Sequence, residues 1–255
     1  MTREWLEKFA TDFRWILRGQ LYGLRTQWFW YLVFLSFSPL TFLFFLWLYG
    51  GAKSPEATLY IVTGSVANSA VTAAMLSLGQ SIGSMRMQNA LEYYASLPVS
   101  KLAFILAVAT RGVLFAFPSS FVVLIIGAVA MGLPVAPAIG PTILVYFLSA
   151  YSLAGLGAVV GFYGRTPEAV GLATQIVQPF LVLFAPVYVP MAQLPAALRV
   201  VARYLPTTYV AEALRAAIAG SLGVRFWLDT GVIAAFTVAG LALAHARADW
   251  RVSGA

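Results

Sequence analysis

Long apolar runs separated by short polar breaks fill this chain, and the lengths of the runs decide what they are. A helix that crosses a bilayer needs roughly 20 mainly apolar residues. Runs of that order occupy 28–49, 57–85, 102–132, 138–162, 168–190 and 227–246, which predicts six crossings. The first run has aromatic clusters at both ends: Trp28, Phe29, Trp30 and Tyr31, then Phe44, Phe45, Trp47 and Tyr49. Aromatic residues gather in this way at the two membrane–water interfaces. The run 57–85 measures roughly 43 Å at 1.5 Å per residue, so it either tilts or projects beyond the hydrocarbon, and 102–132 is equally long.

Two further segments follow the helical period but cannot span. Ahead of the first run, Leu6, Phe9, Phe13, Ile16, Leu17 and Leu24 fall near helical spacing, with Arg3, Glu7, Lys8, Asp12, Arg14 and Arg18 mostly elsewhere. This pattern predicts an amphipathic helix within 1–27 lying at the headgroup level; the alternative is a cytoplasmic helix packed on a partner protein. The segment is too polar to span and too long for a signal-peptide n-region, and no small-residue cleavage site follows the first apolar run, so it is not read as a targeting segment. Within 191–225, "LPAALRVVARYLPTTYVAEALRAAIAG" reads as two short amphipathic helices broken at Pro206, with Thr207 or Thr208 as an N-cap and Gly220 as a stop. Both are too short to cross, so they are expected to lie at the outer interface or dip back into it. Arg199 and Arg203 stand four apart and are expected to face headgroups.

Composition agrees with the pattern. Of 255 residues, 61% are hydrophobic and 10% charged, and the mean hydropathy is +0.84, outside the balance of a soluble domain. One membrane domain over 1–255 is expected: an interfacial helix in 1–27, five spans within 28–190, outer helices in 191–225 and a last span in 226–246. The net charge of +7 is scattered over span ends and does not form the basic stripe of a nucleic-acid binder. With the N-terminus inside, the inner segments hold ten cations (Arg3, Lys8, Arg14, Arg18, Arg25, Arg86, Lys101, Arg165, Arg247 and Arg251). The outer segments hold five (Lys53, Arg199, Arg203, Arg215 and Arg225), so the positive-inside rule puts both termini in the cytoplasm. Arg111 stands apart, and two readings serve for it: snorkelling to the inner interface, or contact with an anionic lipid or substrate group.

Catalytic constellations are missing. The single histidine, His245, is at the end of the last span, there is no cysteine, and Glu56, Glu92, Glu168 and Asp229 lie at ends or loops. No carboxylate pair, HExxH motif or intramembrane proton relay can be assembled from them. No metal site or cofactor is expected in the chain, and it has no GxxxxGK[ST] loop, so any ATP must be bound by another polypeptide.

One polar island breaks the apolar sequence. "MQNALEYYASLPVSK", between the second and third runs, resembles the cytoplasmic signature of permease subunits of type 2 ATP-binding-cassette exporters, and "LPAALRVVARYLPTTYVAEALR" is similar to that family's outer segment, with Pro206, Tyr209 and Glu212 at matching positions. With six spans and an amphipathic N-terminal helix, the resemblance covers essentially the whole chain. It departs at Tyr93 and Tyr94, where small or aliphatic residues are common, and at Tyr204 and Leu205 before the proline. The resemblance implies an all-α membrane fold in which residues 88–97 form a coupling helix seated in a cleft of a cytoplasmic ATPase. Leu91, Tyr94 and Leu97 fall on roughly one side and are expected to fill that cleft, Glu92 to pair with a basic residue at the rim, Tyr93 to lie beside them, and Pro98 to stop the helix. A short helix folded against its own bundle is the alternative.

The same resemblance implies two ATPase copies that bind ATP and Mg, a second permease (identical or homologous), surrounding membrane lipid, and residence in a bacterial-type cytoplasmic (inner) membrane. The second run carries Ser65, Asn68, Ser69, Thr72, Gly79, Gln80 and Gly83 at helical spacing, and the fifth carries Thr174, Gln175 and Gln178. This stripe either packs helices or lines a substrate path. Gly155, Gly157, Gly161 and Gly164 are read as packing residues. An uncharged path points to export of an amphiphilic or hydrophobic small molecule or lipid. Polysaccharide or sodium export, and a non-transporting assembly partner of an ATPase, are the alternatives.

Overall fold

In the computed structural model, residues 2–22, 28–49, 54–88, 90–132, 139–164 and 166–247 are described, and they are helical throughout apart from short connections. The elements are α1 (Thr2–Tyr22), α2 (Trp28–Tyr49), α3 (Pro55–Ala74), a π-helical turn (Met75–Gln80), α4 (Ser81–Met87), α5 (Ala90–Ser96), α6 (Lys101–Met131), α7 (Ile139–Tyr163), α8 (Pro167–Leu183), a 3₁₀ turn (Met191–Gln193), α9 (Ala196–Ala202), α10 (Pro206–Ile218) and α11 (Val224–Arg247). Leu24, Arg25, Lys53, Asn89, Arg165 and Arg251, used in the sequence reading, lie outside the described residues.

Local chemistry sets many of the boundaries. Ser54, Ser100 and Thr166 cap α3, α6 and α8, each side chain accepting from the backbone N–H three residues on, at Ala57, Ala103 and Ala169. In α3 and α8 a proline at the first helical position and a glutamate in the first turn complete the start. Gly132 and Gly220 end α6 and α10 with φ of 70°, a left-handed conformation natural to glycine.

Among the described residues, four helices are long and apolar enough to cross a bilayer: Trp28–Leu48, Lys101–Ala130, Ile139–Tyr163 and Val224–Ala246. The run expected at 57–85 is realised as α3, the π turn and α4 in succession. The run expected to 190 is shorter: α8 stops at Leu183, three residues before Pro186, because a proline has no N–H to donate into another helical turn. Prolines at 39, 118 and 179 sit inside α2, α6 and α8, as neighbouring helices in a membrane permit.

The centre of the bundle is α3, α6 and α7, with α11 against α7, α2 against α3 and α6, and α1 along α6. Glycine makes the closest approaches. A Cβ at Gly155 of α7 would lie 2.7 Å from the Gly240 carbonyl carbon of α11, and one at Gly157 would lie 3.0 Å from the carbonyl oxygen of Ala74. Side-chain hydroxyls join α6 to its two neighbours. Ser69 of α3 hydrogen-bonds Ser120 of α6 at 2.8 Å, and Ser120 donates to Tyr146 of α7 at 3.1 Å. Gly155→Ala should therefore lower stability by about 1–3 kcal/mol through overpacking. Gly231→Ala, inside α11 with nothing within 4 Å of the added carbon, should leave stability unchanged or raise it by up to about 1 kcal/mol through helix propensity; thermal unfolding of the two purified variants checks the difference.

Candidate functional site

The polar island folds into α5, a seven-residue helix held between α4 and α6 at one end of the bundle. Its apolar side chains divide. Leu91 is 3% exposed and belongs to the core, and the Tyr94 ring packs on Phe104 of α6 at 4.9 Å. Two of the three residues expected to fill a partner's cleft therefore face the chain's own bundle, since that is the apolar surface nearest a helix flanked on both sides. Glu92, Tyr93, Ser96, Leu97 and Pro98 are exposed, with Tyr93 at 63%. Helix α5 ends at Ser96, just ahead of Pro98, and the Ser100 N–H donates to Asp12 of α1 at 3.0 Å, so the corner into α6 is fixed by α1.

The polar stripe of α3 also divides. Ser65 is fully buried and donates to the Ile61 carbonyl, and Ser69 is committed to Ser120. Thr174 of α8 is buried and donates to the Val170 and Gly171 carbonyls of its own helix. All three hydroxyls are therefore engaged within the bundle. Thr72 accepts from Gln178 Nε2 at 2.6 Å, tying α3 to α8, and Asn68 is half-buried beside them. Gln80 and Gln175 are exposed on the π turn and α8, whose apolar neighbours Leu172, Ile176 and Phe180 are exposed as well. Gly79 meets Thr174 and Gly157, and Gly83 meets Val170, so both belong to the packing between helices.

At the opposite end, α9 and α10 break at Pro206, the first residue of α10. Neither threonine caps α10. Leu205 holds the cap position, while the Thr207 hydroxyl donates to Leu181 O at 2.6 Å and that of Thr208 to Ala202 O at 2.5 Å. With proline at the first position there is one N–H fewer to cap, which frees both hydroxyls to tie α10 to α8 and α9. Tyr209 donates to the Arg203 carbonyl, and Arg199 to that of Leu194. Helix α10 packs on α3, α7 and α11.

Arg215 is the residue that sequence reasoning missed, because it was counted among exposed outer charges. It is buried, with its guanidinium over the Tyr60 ring at 4.2 Å and Nη1 donating to Val187 O at 3.2 Å. Burial pulls its pKa below the ordinary arginine value, against the opposing effects of Tyr60, Glu212 and Asp229. Glu212 in turn binds Arg225 at 2.7 Å, and Arg225 reaches Asp229 at 3.5 Å, so α10 is fastened to α3 on one side and α11 on the other. The signal in the sequence was Glu212 and Arg215 three apart in an otherwise apolar helix. Arg111 makes a specific contact too: Nη1 donates to Gln20 Oε1 of α1 at 2.9 Å.

No curated protein matches the chain. The family model described as ABC-2 family transporter protein matches residues 48–245, from the last turn of α2 almost to the end of α11. That match takes in the α5 corner, the α3–α8 stripe and the short helices α9 and α10 together, well over half of the 255 residues. The chain belongs to the ABC-2 family and is a multi-pass membrane permease of the ATP-binding-cassette transporter class.

Proposed function

We propose that the chain is the membrane-spanning subunit of an ATP-driven exporter, with ATP and Mg bound by a separate cytoplasmic ATPase. The observation that carries this reading is α5, a short helix braced by its neighbours that offers a solvent-facing edge of Glu92, Tyr93, Ser96 and Leu97 at the end of the bundle. A helix this short is not stable alone in water. Held by Leu91 and Tyr94, it becomes a rigid projection on which a partner can push.

In this reading α2, the run from α3 through α4, α6, α7, α8 and α11 make six crossings, both termini are cytoplasmic, and the membrane is a bacterial-type inner membrane. Two permeases, each with an ATPase copy, assemble about a central path. The exposed Gln80 and Gln175, with Asn68, Thr72 and Gln178, supply uncharged polar groups to that path. Polar side chains on a spanning helix are costly against lipid, which supports placing this face against a second permease or a cavity. The adjacent Leu172, Ile176 and Phe180 make the same face amphiphilic, and this supports a small amphiphile or lipid as cargo.

Two outcomes are expected. Glu92→Arg or Tyr93→Asp should leave the permease inserted but abolish co-purification with the ATPase encoded nearest to it, whereas Leu91→Asp, which buries a charge, should destabilise the permease itself. Retention of the ATPase by both surface variants would sink the docking assignment. For the path, Gln175→Leu and Asn68→Leu should change the relative rates at which proteoliposomes move a panel of fluorescent amphiphiles, while Ser65→Ala, a substitution in the packed interior, should leave the ranking as it is.

A further inference from the structure

Three helices meet at one side chain. Gln20, near the end of α1, donates from Nε2 to the hydroxyl of Tyr94 in α5 at 3.3 Å, and its Oε1 accepts from Arg111 Nη1 in α6 at 2.9 Å. Arginine has only donors to offer, so the amide oxygen must face Arg111 and the NH₂ must face the phenol; the orientation is dictated by chemistry. Both ends of the amide are used. A second tie from α1 lies two turns earlier, where Asp12 Oδ2 accepts from the N–H of Ser100, the residue that caps α6. Helix α1 therefore grips the corner between α5 and α6 at two points, on the bend itself and across the two helices it joins.

We infer that Gln20 is a positioning residue for energy coupling, locking the ATPase-docking helix α5 to the spanning helix α6 so that the two move as one body. The inference rests on the docking role proposed above for α5. Backbone connectivity alone would transmit a push poorly here, because residues 97–99 between the helices are not helical and Pro98 contributes no N–H. The Tyr94–Gln20–Arg111 chain bypasses that corner and delivers the load to the third turn of α6. Tyr94 is thereby explained in a position where the family pattern has smaller residues: only a long side chain with a terminal hydroxyl reaches Gln20 while its ring stays on Phe104.

The chain has no cysteine, so spin labels can be placed at Ala95→Cys on α5 and Leu114→Cys on α6 without removing any native thiol. The distance between them is measured in the permease–ATPase complex in nanodiscs, before and after trapping with ATP and vanadate. The expected result for the otherwise unaltered chain is one narrow distance that trapping leaves unchanged. Gln20→Leu should broaden it, and the stimulation of ATP hydrolysis that the permease gives the ATPase should fall by about tenfold, the factor carried by loss of a hydrogen bond to a charged group. Gln20→Glu, whose carboxylate accepts from both Arg111 and the Tyr94 hydroxyl, should restore both readouts. Tyr94→Phe should broaden the distance as Gln20→Leu does, and it serves as the test if Gln20→Leu fails to insert. A narrow, unchanged distance in Tyr94→Phe or Gln20→Leu within a formed complex would overturn the inference. Failure of the ATPase to immobilise the label at 95 in the otherwise unaltered chain would instead overturn the docking role of α5.

Discussion

Close approach of helix backbones holds this bundle together, because hydrocarbon gives apolar side chains little reason to leave it for one another. What remains is dispersion at short range and the hydrogen bonds that short range permits. Where α7 meets α11, and where α7 meets the π turn, the contact is glycine against backbone at Gly155, Gly157 and Gly161, so that a single methyl group would force the helices apart. Across the α7–α11 contact Thr237 donates to the Leu148 carbonyl at 3.2 Å, and hydroxyls also join α6 to its neighbours: Ser69 to Ser120, Ser120 to Tyr146, and Thr110 to Tyr151 at 2.7 Å. The hydroxyls so engaged point to neighbouring helices, while other members of the same stripe, such as Gln80, face outward.

The same economy governs the two ends. At one end Asp12, Gln20, Tyr94 and Arg111 fix α1, α5 and α6 as a unit; at the other Arg215, Glu212, Arg225 and Asp229 fix α10 to α3 and α11. Charged and amide groups thus join the hydroxyls of Thr207 and Thr208 in securing the ends, while glycine contacts and further hydroxyls act along the long helices between.

Helix positions were largely legible from hydropathy, since run length and capping residues are local properties. The first run was read to the residue, and α6 and α7 to within one. Legibility failed where tertiary contacts decide. The end of α8 at Leu183 depends on the turn before Pro186, and the threonines after Pro206 serve neighbouring helices instead of their own. At the candidate site, the sequence located α5 and the stripe but could not say which side of each faces inward. Leu91 and Tyr94 have an apolar face available on their own bundle, and nothing in a heptamer's spacing distinguishes that face from a partner's. Arg215 was misread for the converse reason: its aromatic cover, Tyr60, lies 155 residues earlier in the chain.

The π turn at Met75–Gln80 also escaped the sequence reading, and its effect is on register. Closing hydrogen bonds from i to i+5 encloses one more residue than an α-helical turn does. The surplus residue lets α3 and α4 each keep the face that its own neighbours require, although the faces would not align along an unbroken α-helix. The two halves of this long helical run therefore answer to different neighbours, α3 to α2, α6 and α10 and α4 to α5 and α8, with a single turn absorbing the change of register between them.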